Sequence, residues 1–141
     1  MRGSSWQYDS DRLLDLLAKT FPSKKPWVLG YIGLISEDLY SGDGNWVYAN
    51  SKRNGLSIVS YHRFLAVNSQ EPPSRPMLIE RTVKAALGGI SLITGHARCY
   101  KPSCGFGYAY SLRELDRKKI ELCDVCAKKL AESAKEAVID A

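Results

Sequence analysis

Four cysteines constrain this chain most tightly: Cys99, Cys104, Cys123 and Cys126 form C-x4-C-x18-C-x2-C. Two close pairs separated by a short insertion are what a tetrahedral zinc site requires. Each pair closes a small loop that turns two sulfurs inward, and the insertion folds one pair over the other. Gly105 and Gly107 permit tight turns, and Cys126 can ligate from the first turn of a helix. The competing readings are two disulfides or four buried free thiols. A cytosolic setting disfavours disulfides, and four unpaired cysteines in two close pairs would be a coincidence. The expected metal ligands are therefore Cys99, Cys104, Cys123 and Cys126, holding one Zn2+ ion. Four thiolates leave no open coordination position for water or substrate, so the site reads as structural.

The rest of the composition sets the frame. A chain of 141 residues that is 45% hydrophobic can bury a core without disulfide staples, and one domain over 1–141 is expected. No run of 18 or more apolar residues appears, so no membrane-spanning helix is expected. The start, "MRGSSWQYDSDR", has no apolar core of the signal-peptide kind, which points to a cytoplasmic protein. The formal charge of +5 would fall to about +3 once four thiolates held a zinc ion. An excess of that size argues weakly for a nucleic-acid partner.

Along the chain, "DSDRLLDLLAKT" (9–20) places leucines on one helical face, with Ser10 as candidate N-cap, and residues 1–26 read as an N-terminal helix and linker. Strands are expected within 27–67: "WVLGYIGLI" (27–35), "WVYA" (46–49) and "LSIVSYHRF" (56–64), the last two joined by a hairpin at Asn54-Gly55. "NSQEPPSRP" (68–76) is a polar loop. Ile79, Val83, Leu87 and Ile90 mark a helix over about 77–95. In 99–138, Ser111 and Glu114 fit a capping box, and Asp124 can cap a final helix with a charged, solvated face. The fold class is mixed α+β. One feature resists the pattern: Gly88 and Gly89 sit mid-helix, at a cost of about 1 kcal/mol each relative to alanine.

The segment "ERTVKAALGGISLITGHARCYKPSC…SLRELDRKKIELCDVC" resembles the archaemetzincins, zinc-dependent peptidase-like proteins of the metzincin group. Their motif is H-E-x-x-H-x-x-G-x-x-H-C-x4-C-x-M, followed by C-x2-C. "VLGYIGLISEDLY", "WVYA" and "SIVSYHRF" are similar to the family's first strands, so the resemblance runs from about Val28 to Leu130. It implies a small metzincin-like domain: a short twisted sheet packed on helices, with a C-terminal four-cysteine zinc segment. Laid back from Cys99, the motif puts Gly88 at the first histidine, Gly89 at the glutamate, Leu92 at the second histidine and Arg98 at the third. Gly95 keeps the motif's glycine, and Phe106 stands for the methionine beneath the metal.

The resemblance thus implies a degenerate active-site helix and a pseudoenzyme with no catalytic residues. A metzincin site needs three neutral imidazoles and a carboxylate beside the zinc-bound water. This chain has two histidines, His62 and His96, and Glu80 and Asp116 lack motif spacing. The glycine pair could admit a close neighbour, let the helix bend, or record drift after catalysis lapsed. Leu92 and Phe106 suggest an apolar plug in the cleft. The leading function is a non-catalytic protein-binding or complex-subunit module. "WVYA" or the strand from Leu56 is a candidate peptide-docking edge, and Trp46, Tyr48, Tyr108 and Tyr110 are candidate anchors, although such aromatics more often pack. Second comes nucleic-acid binding, through Lys52, Arg53, Arg63, Arg75, Arg81 and Lys84. A residual metallopeptidase or other hydrolase comes third; the nearness of Ser60 and His62 is uninformative without an orienting acid.

Overall fold

A computed structural model describes residues 6–42, 44–52, 55–65 and 73–139, with side chains through Lys135. The order is β1 (Tyr8–Asp9), α1 (Ser10–Thr20), β2 (Tyr31–Ile35), β3 (Leu39–Ser41), β4 (Asn45–Val47), β5 (Ala49–Lys52), β6 (Leu56–Ser60), a 3-10 turn (His62–Leu65), α2 (Arg75–Ile93), α3 (Leu112–Arg117) and α4 (Asp124–Ile139). The strands form two three-stranded sheets, β1-β3-β4 and β2-β6-β5, rather than one. The architecture is mixed α+β, with small sheets packed on helices.

β6 organises the larger sheet. It pairs parallel with β2 and antiparallel with β5, and all five of its residues are buried. Burial on both faces follows from its neighbours. Leu56 and Ile58 pack with Leu14 of α1 and Leu39 on one face, while Ser57 faces α2 on the other. A strand covered on both faces reads as a continuous apolar run, as "LSIVS" nearly does. β6 is therefore central, and the expectation of a docking edge at Leu56 is wrong; β5 is the edge on that side.

The remaining boundaries have local causes. Asp9, not Ser10, caps α1 by accepting from the Asp11 amide at 2.9 Å, because Ser10 is fully buried and takes an Asn50 side-chain bond instead. The expected strand at 27–35 loses its first half to a turn in which the Val28 amide bonds the Lys25 carbonyl. The expected strand at 46–49 divides between the two sheets at Tyr48, whose ring packs on Phe64. The strand expected to reach residue 64 stops at Ser60, because the Ser60 hydroxyl bonds the His62 amide and turns the chain into the 3-10 segment. The β5–β6 hairpin forms, but Asn54 of its turn, Arg53 and most of the 68–76 loop lie outside the described residues.

α2 begins at its cap Ser74 and runs unbroken through Gly88 and Gly89 to Ile93. Gly95, at φ +80°, then turns the chain out of the helix. Ser111 caps α3 by accepting from the Glu114 amide, while Glu114 returns its bond to the Tyr110 amide rather than to Ser111. On α4, Lys128, Lys129, Glu132 and Lys135 face solvent as expected. No described helix is long and apolar enough to cross a membrane.

Candidate functional site

The four cysteines converge. Cys99 and Cys104 flank a tight loop, and Cys123 and Cys126 sit at and within the first turn of α4. Backbone bonds from Gly105 to Glu121 and from Lys119 to Ser103 hold one half over the other. All four sulfurs lie within 4.8 Å of one another, and Cys99 Sγ stands 3.9 Å from Cys123 Sγ. Tetrahedral zinc with sulfur bonds of about 2.3 Å needs sulfurs about 3.8 Å apart, so the cluster fits one zinc ion. No pair is joined as a disulfide.

Backbone donors surround two of the sulfurs. Amides of Lys101, Phe106 and Cys123 point at Cys99 and Cys104 sulfurs at 3.3–3.5 Å. The thiols differ: the Cys126 backbone amide helps bring Cys123 down to about 7, while burial pushes Cys126 up to about 12. Phe106, Leu87, Ile90, Leu122 and Leu130 wrap the cluster in apolar contacts.

Beside the cluster lies the space next to the α2 glycines. A Cβ on Gly88 would stand 2.5 Å from Arg98 Nη1, and one on Gly89 would stand 2.5 Å from Ser57 Oγ. The glycines therefore admit close neighbours on two sides, a guanidinium and the sheet, and the helix continues through them. Arg98 donates through Nε to the Phe106 carbonyl and through Nη2 to the Gly107 carbonyl, and stacks on Tyr108 at 4.4 Å. Burial lowers its pKa from the ordinary guanidinium value, while Tyr108 and Tyr110 pull the other way. Phe106 is 1% exposed and packs with Cys104 and Cys126, not in the space beside Gly88, and Leu92 is only half-buried and belongs to neither core cluster.

The other candidates are committed elsewhere. His96 has Nε2 on Ser133 Oγ at 2.9 Å and Nδ1 on Thr94 Oγ1 at 3.2 Å. His62 lies in the 3-10 turn, not a strand, with Nδ1 on the Ser36 carbonyl and its ring against Trp6. Glu80 pairs with Lys84, and Asp116 forms two bonds with Arg81. Ser60 Oγ donates to the Glu37 carbonyl. Of the cations considered for nucleic acid, Arg63, Arg81 and Lys84 are bound by Asp38, Asp116 and Glu80, Lys52 stands 3.9 Å from Asp15, and Arg75 is exposed.

The model of peptidase family M54 matches residues 4–132. The chain belongs to peptidase family M54. Among M54 relatives, the archaemetzincin of Pyrococcus furiosus is 30% identical over 105 residues, 74% of this chain and 55% of that protein. That of Sulfolobus acidocaldarius is 30% identical over 132 residues, 89% of this chain and 69% of that protein. The crystal structure of archaemetzincin from Methanopyrus kandleri superposes with a TM-score of 0.75 at 28% identity, covering 92% of this chain and 67% of that one. A zinc-dependent peptidase from Methanocorpusculum labreanum gives 0.78 at 25% identity, covering 88% and 74%. The chain spans little more than half the length of several curated M54 relatives.

A cavity lined in part by Arg98 also holds a residue that sequence reasoning missed. Lys118, the C-cap of α3, is 2% exposed, and burial lowers its pKa to about 8. Within "DRKK" nothing distinguishes it from the exposed lysine beside it. Trp46, Tyr108 and Tyr110 are all exposed rather than packed away.

Proposed function

We propose that this protein is a non-catalytic M54 member, an archaemetzincin-like pseudopeptidase. Its four cysteines hold one structural zinc ion, and its cleft serves a protein partner. One observation carries the reading: the Arg98 guanidinium lies against Gly88, so a fixed cation stands where the family motif would place metal-binding imidazoles. Three imidazoles do not exist in the chain, and both histidines are hydrogen-bonded elsewhere. A half-buried cation fixed there repels a second zinc, and a hydrolytic site needs that zinc to acidify water.

The partner role is supported by the edge position of β5, whose Ala49 lines the adjoining cavity. An extended peptide added to that edge would cross the aromatic wall without any catalytic metal. Free thiols held for zinc suit a reducing compartment, and we place the protein in the cytoplasm. The test is zinc per chain, measured by elemental mass spectrometry on protein never exposed to a metal column. One zinc is expected; two, together with chelator-sensitive peptide cleavage, would overturn the reading.

A further inference from the structure

The cavity beside Gly88, about 360 Å³, is lined by Trp46, Tyr48, Tyr108 and Tyr110 together with two cations, Arg98 and Lys118. No carboxylate lines it, and among the described residues neither cation forms an ion pair. The acids of α2 and α3 are occupied: Asp116 by Arg81, Glu80 by Lys84, and Glu114 by the Tyr110 amide. Lys118 spends one of its three N–H donors on the Lys84 carbonyl at 2.9 Å. Arg98 spends Nε and Nη2 on carbonyls, leaving Nη1 without an acceptor among the described residues. A zinc–thiolate cluster nearby would ease the burial of both cations, but neither donates to a sulfur. Lys118 is buried and Arg98 half-buried, and with no buried side-chain nitrogen left unbonded among the described residues, their spare donors open to the cavity, where an anion can take them in place of water.

We infer that this cavity binds a carboxylate attached to an apolar or aromatic group. Five N–H donors remain, two on Lys118 and three on Arg98, enough for the two oxygens of a carboxylate, and the aromatic walls suit the apolar group that a carboxylate carries better than the further oxygens of a phosphate. The rings supply stacking area for the adjacent group, and the β5 edge offers a path for a chain that ends there. The inference rests on the reading that no metal occupies the cleft. The carboxylate can come from a peptide C-terminus or from a small free acid.

The test uses calorimetric titration of the full chain, zinc loaded, at fixed ionic strength. The probes are N-acetylphenylalanine, its C-terminal amide, a hexapeptide ending in free phenylalanine, succinate and inorganic phosphate. The acid is expected to bind about ten-fold tighter than the amide, the worth of one charge-assisted hydrogen bond. Arg98→Gln, checked for fold and zinc content, should abolish that preference, read as the ratio of acid to amide affinity; Lys118→Met should reduce it. A hexapeptide that outcompetes both small acids assigns the site to chain ends, and equal binding of succinate assigns it to free acids. Equal affinity for acid and amide, phosphate binding as tight as the acid, or an acid preference that survives Arg98→Gln would each overturn the inference. Should Arg98→Gln not fold, the acid–amide comparison on the unaltered chain decides alone. The zinc count stays separate. One zinc without acid preference defeats only this inference. Two zincs with a preference that Arg98→Gln abolishes defeat only the pseudopeptidase reading.

Discussion

The Arg98 guanidinium occupies the space a Gly88 side chain would need: a Cβ there would stand 2.5 Å from Nη1 and 2.6 Å from Cζ. The guanidinium is held by two carbonyls and the Tyr108 ring, so it cannot swing aside freely. Gly88→Ala should therefore destabilise the protein by about 1–3 kcal/mol through overpacking. In an Arg98→Ala background the same change should stabilise it by up to about 1 kcal/mol, because alanine is the better helix former. A double-mutant cycle by urea denaturation checks the sign reversal; additive effects would mean the two residues are not in contact.

A second pair ties α2 to α3. Arg81 meets Asp116 through two bonds of 2.9 Å and also donates to the Phe64 carbonyl. The partners are unequally buried: the Arg81 side chain is 10% exposed and that of Asp116 42%. Removing Asp116 strands a buried cation, whereas removing Arg81 leaves a carboxylate that water can reach. Asp116→Ala should cost about 3 kcal/mol and Arg81→Met about 1–2 kcal/mol. Denaturant midpoints that rank the two variants the other way would contradict this account.

Those two pairs also mark what could be read from the residues and what could not. The cysteine spacing announced the metal cluster because close pairs are a local property of the chain. The helix from Arg75 and the buried strand at Leu56 were legible because apolar periodicity reports burial directly. The division of "WVYA" between two sheets was not, since it depends on Tyr48 packing on Phe64, sixteen residues away. The central place of β6 was hidden for a similar reason: pairing order between strands has no local signal. Lys118 and Arg98 were invisible as a pair because a lysine inside "DRKK" looks solvated until the fold buries it. The glycine pair posed the right question, and only the spatial neighbours of Gly88 and Gly89 answered it.

Metal removal should act through the same tertiary links. Cys104 is buried and its sulfur accepts the amides of Phe106 and Cys123, so it joins both halves of the cluster. Cys104→Ser should drop bound zinc from one per chain to near zero, and a strong chelator should lower the unfolding temperature of the unaltered protein by several degrees. Elemental analysis and thermal melts check both; a chelator-treated protein with an unchanged melt would mean the cysteines hold the fold without metal.

Lys118 gives a pH signature with a definite sign. Burial first, and then the charges of Arg98 and Lys84, lower its pKa from 10.5 to about 8, with Cys104 pulling the other way. In the unfolded chain the lysine keeps its proton up to about 10.5, so between pH 8 and 10.5 the unfolded state binds more protons than the folded one. The Lys118 contribution to stability must then rise with pH across that window. The unaltered protein should gain stability relative to Lys118→Met as pH increases from 8 to 10.5, and the difference should be flat below pH 7. Paired urea titrations over that range check it, and subtracting the variant removes the shared titration of the cysteines. A difference that falls with pH would show that a hidden anion holds Lys118 charged, and would place a counter-ion in the cavity that its described lining residues do not supply.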